Sequence, residues 1–353
     1  GGQGSRLGFD GPKGTFSVGL PSGKELFKIH GERILNLSKK AGRPIPWYIM
    51  TSPENNDATV SFFKDNDYFG LEKESVKFFP QQVFPSVDTN GKIFMDSKCS
   101  VSKNPNGSGG CFTSLYEAGL LKEMEDMGIK YIFFCGVDNI LLRPADPLFI
   151  GYAVKKGYDI ASKSVRKKSP SEKVGVFTYR NGKPSIIEYI ELSPAMAEEK
   201  DTNGKLRFGS GNVLMHIFRI DFIRRALEKN TKYYAQHKKI KHMGNDGQEV
   251  SPAEPNGYKF ESLYFDIFSE ADDMAVLDIV REEEFAPVKN REGQDSVETA
   301  REMYMNLTTS WLENMGIETE EKIEISPLLS VYGDDLDHNY ITERLREKKN
   351  YID

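Results

Sequence analysis

Hydrophobic positions along the chain fall into two alternating patterns, one with helical spacing and one of short unbroken runs. Leu26, Phe27, Ile29, Ile34, Leu35 and Leu37 lie on one side of a helix over 24–40, which Gly42 and Pro44 bring to an end. PWYIMT over 46–51 is an apolar run of strand length, and Ser52-Pro53-Glu54 opens a helix over 54–66. The same reasoning places a strand at 76–79, a helix at 112–127 and a strongly apolar strand at 131–135 (YIFFC). In VGVFTYRNGKPSIIEYI, Asn181-Gly182 separates two strand-like runs and predicts a hairpin over 174–190. A strand at 213–218, helices at 219–229 and 260–271, and a strand at 275–280 follow. Strands alternating with helices predict an α/β fold, a three-layer, mixed but mostly parallel sheet with ligands at the carboxyl ends of its strands.

Past about residue 290 the pattern changes to a polar helix over 294–314 and short strands ending in KIEISPLLSVYGDD. The expectation is a main domain over 1–290 and a small C-terminal α+β domain over 291–353. Residue 1 already stands inside a glycine loop, with no strand before it. An N-terminal segment with at least one core strand is therefore expected outside this sequence.

Composition narrows the function classes. The 353 residues carry a net charge of −6 and 38% apolar residues, enough for a sizeable core but no global basic field for nucleic acid. Three cysteines, Cys99, Cys111 and Cys135, form no CxxC pair, which excludes a fully paired disulfide framework and fits a reducing cytoplasm. No apolar run reaches the ~18 residues of a membrane span. The basic run 163–173 (KSVRKKSPSEK) reads as a solvated loop. The five histidines show no metal-ligand spacing, and no G-x-S-x-G is present.

The opening stretch, GGQGSRLGFDGPKGTF, is the most informative. Gly1, Gly2, Gly4 and Gly8 allow backbone N–H groups to converge on an anion, and Arg6 and Lys13 add two positive charges to the same loop. A dinucleotide fingerprint fails, because Leu7 stands where its third glycine belongs. A P-loop fails too, because Pro12 and Gly14 flank Lys13. The loop suits a nucleoside triphosphate. Asp138, in GVDN after the apolar strand, is predicted at that strand's carboxyl end, where a carboxylate can hold Mg2+ or Mn2+, or else cap a helix. The cluster Asn106-Gly107-Ser108-Gly109-Gly110 leads into a helix and suits close backbone approach to a ligand.

GGQGSRLG, PKGTF, VGLPSGKELF, YIMTSPEN, FFPQQVFP, NGSGG, YIFFCGVDNIL, GSGNVLMHIF, FDIF, REEEFAPVKN and EISPLLS occur in one order over nearly the whole chain. This ordered series resembles the eukaryotic-type UDP-N-acetylhexosamine pyrophosphorylases, of the UDP-sugar pyrophosphorylase (UDPGP) type 1 family. The resemblance implies a Rossmann-like nucleotidyltransferase (GT-A-like) fold and a uridylyltransferase that joins UTP to a sugar 1-phosphate, N-acetylglucosamine 1-phosphate first among candidates. It implies a magnesium ion (or manganese) on Asp138, phosphate contacts from Arg6, Lys13 and Lys289, and nucleotide contacts from Gly1, Gly2, Gly4, Gln81, Gly107 and Asp138. Sugar contacts are implied at Ser108, Gly175, Glu188, Asn212 and Phe265. Two positions depart from the family: Ser108 stands where Asn is usual, and Leu263 where the human-type enzymes carry an aromatic. These keep a UDP-glucose, UDP-galactose or broad-specificity enzyme open, and a silent nucleotide-sugar sensor is the alternative outside catalysis. The expected partners are small molecules, without nucleic acid or membrane, for a cytoplasmic monomer or weak homo-oligomer.

Overall fold

The computed structural model describes residues 2–229, 232–347 and 349–353. Helix α1, Leu26–Ala41, buries Leu26, Ile29, Ile34 and Leu37 on the face its spacing predicts. Strand β1, Trp47–Thr51, leads through helix α2, Asn56–Asp65, to strand β2, Val76–Pro80, which runs parallel to β1. Phe63 of α2 is fully buried beneath them. The expected single helix over 112–127 is two, α3 at Gly110–Glu117 and α4 at Leu120–Asp126, because Gly119 takes φ 73° and interrupts the helical ladder.

Strand β3 is Tyr131–Cys135, and helix α5, Pro147–Lys156, is capped by Asp146, whose carboxylate accepts from Leu148 N at 3.0 Å. Strand β4 is Ile160–Arg166, and β5 (Val176–Arg180) and β6 (Lys183–Ile187) form the predicted hairpin. Strand β7, Ser210–Arg219, helix α6, Ile220–Leu227, and strand β8, Met274–Asp278, complete the central layer. The helix expected over 260–271 is not there. Gly257–Glu261 is a strand, in a small sheet with Tyr234–Lys238 and Val87–Asp88, and Tyr264–Glu270 is a 3-10 stretch. Asp266 accepts Leu263 N at 2.9 Å there, a local bond that tightens the turn against α-helix.

The main sheet has the order β6-β5-β7-β4-β8, with β3 also on β7. Strands β3, β4, β5 and β8 point one way, as a mostly parallel sheet requires, but β7 lies antiparallel to each of its neighbours. Direct parallel pairing within this sheet is confined to β4 and β8. The expectation of mostly parallel pairing is corrected accordingly: the β5–β6 hairpin reverses the chain, and β7 returns between strands of the opposite direction. Along one edge β7 changes partner, with Gly211 beside Val176 of β5 and Met215–Arg219 beside β3. Its register against β4 slips between Asn212 and His216, and Leu214 takes φ 54° within the resulting bulge.

The run expected as a solvated loop begins inside the sheet. Lys163 lies on β4, fully buried, with Nζ 2.5 Å from Asp146 and bonded also to Glu284. Pattern reading missed this because a paired lysine is spelled like a surface one.

Two apolar cores flank the site. Phe112, Leu115, Phe218, Phe222 and Phe268 pack between the sheet and helices α3 and α6. Leu7, Val18 and Leu20 of the opening loop pack with Ile140, Val288, Tyr304 and Met305, the last two from helix α7, Val297–Asn314. A cavity of about 1280 Å3 runs between β1 and β3 and is walled by every residue of both strands. Among the described residues neither strand has a second partner on that side.

Candidate active site

The opening loop is held by its own backbone. Gly4 N donates to Gly11 O and Lys13 N to Gly2 O, each at 2.9 Å. Buried Leu7 anchors it from below. A Cβ on Gly14 would stand 2.1 Å from the Phe27 ring, so the loop lies flat on α1 and the neighbouring Lys13 is fixed at its root. Lys13 Nζ reaches Asp138 Oδ2 at 3.5 Å. Gly2, Lys13, Ser108 and Asp138 all border the β1–β3 cavity. Arg6 is exposed on the same loop and is not part of the cavity wall, and Gly4 is buried beneath it. Gly1 lies outside the described residues.

Asp138 stands just past the carboxyl end of β3, as predicted. It caps no helix; that role belongs to Asp146. Its carbonyl accepts Val288 N at 2.8 Å. Buried Asn139 staples the same two segments, donating to Glu284 O at 2.6 Å and accepting Ala286 N at 2.9 Å. Lys289 follows directly, half-exposed, with Nζ 3.3 Å from Asp295 Oδ2. On the other side His30 of α1 hydrogen-bonds Val137 O at 3.0 Å, and burial pulls its pKa down to about 3. Neutral His30 therefore donates from Nε2 and braces the turn that carries Asp138.

Gln81 is buried, with N donating to Thr51 O at 2.7 Å and Nε2 donating to Asn106 Oδ1 and Gly107 O. Its amide donor is thus spent on the glycine cluster, and Oε1 remains as an acceptor. Gln82 Nε2 donates to Glu117, and its Oε1 accepts Asn106 Nδ2 at 3.4 Å. Gly107 has φ 85°, and a Cβ there would lie 2.3 Å from Ser262 O. Asn106, fully buried, ties the cluster to Ser262 through its carbonyl.

The expected sugar-side residues also come together. Gly175 O accepts Asn212 N at 2.8 Å, and a Cβ on Gly175 would meet Glu188 Oε1 at 3.2 Å. Burial, and then Glu191, raise the Glu188 pKa. Ser108 Oγ accepts Tyr264 N at 3.2 Å, and the Tyr264 and Phe265 ring centroids lie 5.3 Å apart. Tyr264 is the residue that sequence reading missed. Its hydroxyl bonds both Asn212 Nδ2 and His216 Nε2, yet it was passed over for Phe265 beside it. An aromatic directly beside a predicted pocket position was the available signal.

Among the described residues no group of three His, Cys, Asp or Glu could hold a metal ion. Asp138 alone, partly exposed beside Lys13, suits an ion such as Mg2+ that takes most of its ligands from phosphate and water. No described helix is long and apolar enough to cross a membrane.

A family model described as UTP–glucose-1-phosphate uridylyltransferase matches residues 1–330. The UDP-N-acetylglucosamine pyrophosphorylase of Saccharomyces cerevisiae is 40% identical over 350 residues, covering 95% of this chain and 73% of its own length. UDP-N-acetylglucosamine diphosphorylase 2 of Arabidopsis thaliana is 41% identical over 363 residues, covering 96% and 71%. The crystal structure of the Trypanosoma brucei uridine diphosphate N-acetylglucosamine pyrophosphorylase in complex with inhibitor superposes with a TM-score of 0.87 at 33% identity, covering 100% of this chain and 77% of that one.

Proposed function

This chain belongs to the UTP–glucose-1-phosphate uridylyltransferase family, and on that premise we propose that it joins UTP to N-acetylglucosamine 1-phosphate, releasing pyrophosphate and a UDP-sugar. The observation that carries the reading is the apposition of Lys13 and Asp138 at the carboxyl end of β3, beside a backbone-braced glycine loop. A phosphate oxygen of the sugar 1-phosphate attacks the α-phosphorus of UTP in line with the leaving pyrophosphate. That oxygen is anionic at neutral pH, so no strong general base is needed.

The work of the site is to align two anions that repel each other and to stabilise charge on the reacting phosphorus and leaving group. Lys13, Arg6 and Lys289 supply fixed positive charge. Gln81 Oε1 and the Gly107 backbone face the uracil, and Glu188 and Asn212 read the sugar. A divalent cation held by Asp138 and the phosphates would neutralise charge as the bond to pyrophosphate breaks. We assign this chemistry to a Rossmann-like, GT-A-like domain over 1–290, with a small C-terminal domain over 291–353. The chain works on small molecules as a cytoplasmic monomer or weak homo-oligomer.

The test is pyrophosphate release from UTP with a panel of sugar 1-phosphates, with and without Mg2+. Turnover with N-acetylglucosamine 1-phosphate is expected; binding of UTP without turnover on any sugar would overturn the reading. Ser108 favours one second reading, a glucose or galactose 1-phosphate enzyme, because its Oγ is already engaged by Tyr264 N. The same panel decides it.

A further inference from the structure

Behind the sugar-side residues lies a buried chain of hydrogen bonds whose direction can be read atom by atom. Asn212 Oδ1 accepts Leu214 N at 3.1 Å, a bond that the bulge in β7 makes possible. The amide is thereby oriented, with Nδ2 toward the Tyr264 hydroxyl. The tyrosine oxygen accepts that bond, so its own proton goes to His216 Nε2, 3.1 Å away. His216 is fully buried, and burial lowers its pKa to about 3. The neutral ring, accepting at Nε2, carries its proton on Nδ1 and donates it to Ser162 Oγ at 2.8 Å. One sequence of donors thus runs from Asn212 through Tyr264 and His216 to Ser162.

The ring of Tyr264 packs in the aromatic core with Phe134 and Phe268, where a phenylalanine would serve equally well. Its hydroxyl is the part that packing does not explain, since burying it costs free energy unless both of its bonds are made. The same residue donates its backbone N–H to Ser108, the departing position of the sugar side.

We propose that Tyr264 is a positioning residue for sugar recognition: anchored on His216, it fixes the Asn212 amide with Oδ1 turned toward Leu214 N and one Nδ2 hydrogen left for the ligand. This rests on the uridylyl-transfer reading. The Asn212 amide then offers the ligand a donor of fixed direction. It selects a sugar 1-phosphate that presents an acceptor oxygen there, a hydroxyl or the carbonyl of an acylamino group. A freely rotating amide would accept either polarity and would discriminate less.

The experiment compares the wild-type chain with Tyr264→Phe and Asn212→Asp by pyrophosphate release, varying UTP and sugar 1-phosphate separately. Tyr264→Phe should raise the KM for the sugar 1-phosphate about tenfold, with kcat and the UTP KM changed by less than about twofold. Asn212→Asp, nearly isosteric but lacking the donor, should lose more and carries the test if the first variant folds poorly. Side-chain 15N spectra should show His216 protonated at Nδ1 in the wild type and a mixture of tautomers in Tyr264→Phe. An unchanged sugar KM in both variants, or a loss in kcat/KM shared equally by the sugar 1-phosphate and UTP, overturns the proposal. A wild-type chain that turns over no sugar 1-phosphate overturns the uridylyl-transfer reading itself, a failure distinguishable by the absence of any basal rate.

Discussion

Lys13 and Asp138, 125 residues apart in the chain, meet with Nζ 3.5 Å from Oδ2 and with side chains only 17% and 26% exposed. Each is fixed by backbone bonds, Lys13 N to Gly2 O and Val288 N to Asp138 O, so the pair is preorganised without substrate. Lys13→Ala is expected to lower turnover a hundredfold or more, the usual cost of about 2.7–4 kcal/mol for one preorganised donor. The melting temperature should move only a little, because a single part-buried ion pair at 3.5 Å whose ends both still reach solvent contributes on the order of 1 kcal/mol. Pyrophosphate release and a thermal melt on the same preparation check both halves, and near-normal turnover would remove Lys13 from the mechanism.

Gly107 combines φ 85° with a Cβ position 2.3 Å from Ser262 O and 2.7 Å from Ser262 N. Both contacts are backbone, so a side chain there has to push the loop outward. Gly107→Ala should weaken UTP binding at least tenfold, since left-handed backbone alone costs about 1–2 kcal/mol in an alanine and the overlap adds to it. Calorimetric titration with UTP tests this; unaltered affinity would detach the glycine cluster from the nucleotide.

Lys163 is fully buried between Asp146 and Glu284. Replacing it with methionine keeps the volume but leaves two buried carboxylates facing one another. A loss of about 3–5 kcal/mol is expected in urea unfolding. Turnover at low temperature should fall as well, because Glu284 O holds Asn139 and Asn139 holds the Asp138 turn. A loss below ~1 kcal/mol would show the triad to be dispensable.

His30 and His216 both have pKa values lowered to about 3 by burial. Between about pH 6.5 and pH 3 the unfolded chain binds a proton at each that the folded chain refuses. Unfolding free energy then falls as pH falls through this window, by roughly 1.4 kcal/mol per unit per histidine, and is flat with respect to both above it. Urea midpoints at pH 7 and pH 5 should differ accordingly, and His30→Gln should reduce the difference. An unaltered slope in that variant would count against a neutral His30.

The elements that depend on local spacing were legible: α1, β1, β3 and the Asn181-Gly182 hairpin, where both residues have positive φ. Asp138 was placed correctly because a strand's end is also a property of local sequence. What could not be read was decided at a distance. The antiparallel run of β7 and its change of partner between Gly211 and Met215 depend on strands up to 88 residues away, as in Arg219 beside Tyr131. Lys163 looks like any surface lysine until Asp146 and Glu284 are beside it. That Gly107 would claim the Gln81 donor follows only from their apposition. Tyr264 was hidden for the opposite reason, since a tyrosine in an aromatic run reads as core and only its hydroxyl does more.

The apolar floor of the glycine loop has a consequence for how the protein is made. Leu7, Val18 and Leu20 rest on Tyr304 and Met305 of α7, about 300 residues further along the chain. At roughly 5–20 residues per second a ribosome takes about 15–60 seconds to cover that distance. The loop therefore emerges well before α7 and stays without this part of its floor until α7 leaves the exit tunnel. Its glycines and cations stay unassembled for that interval, and vectorial synthesis makes the arrival of α7 the step that completes the support beneath the loop.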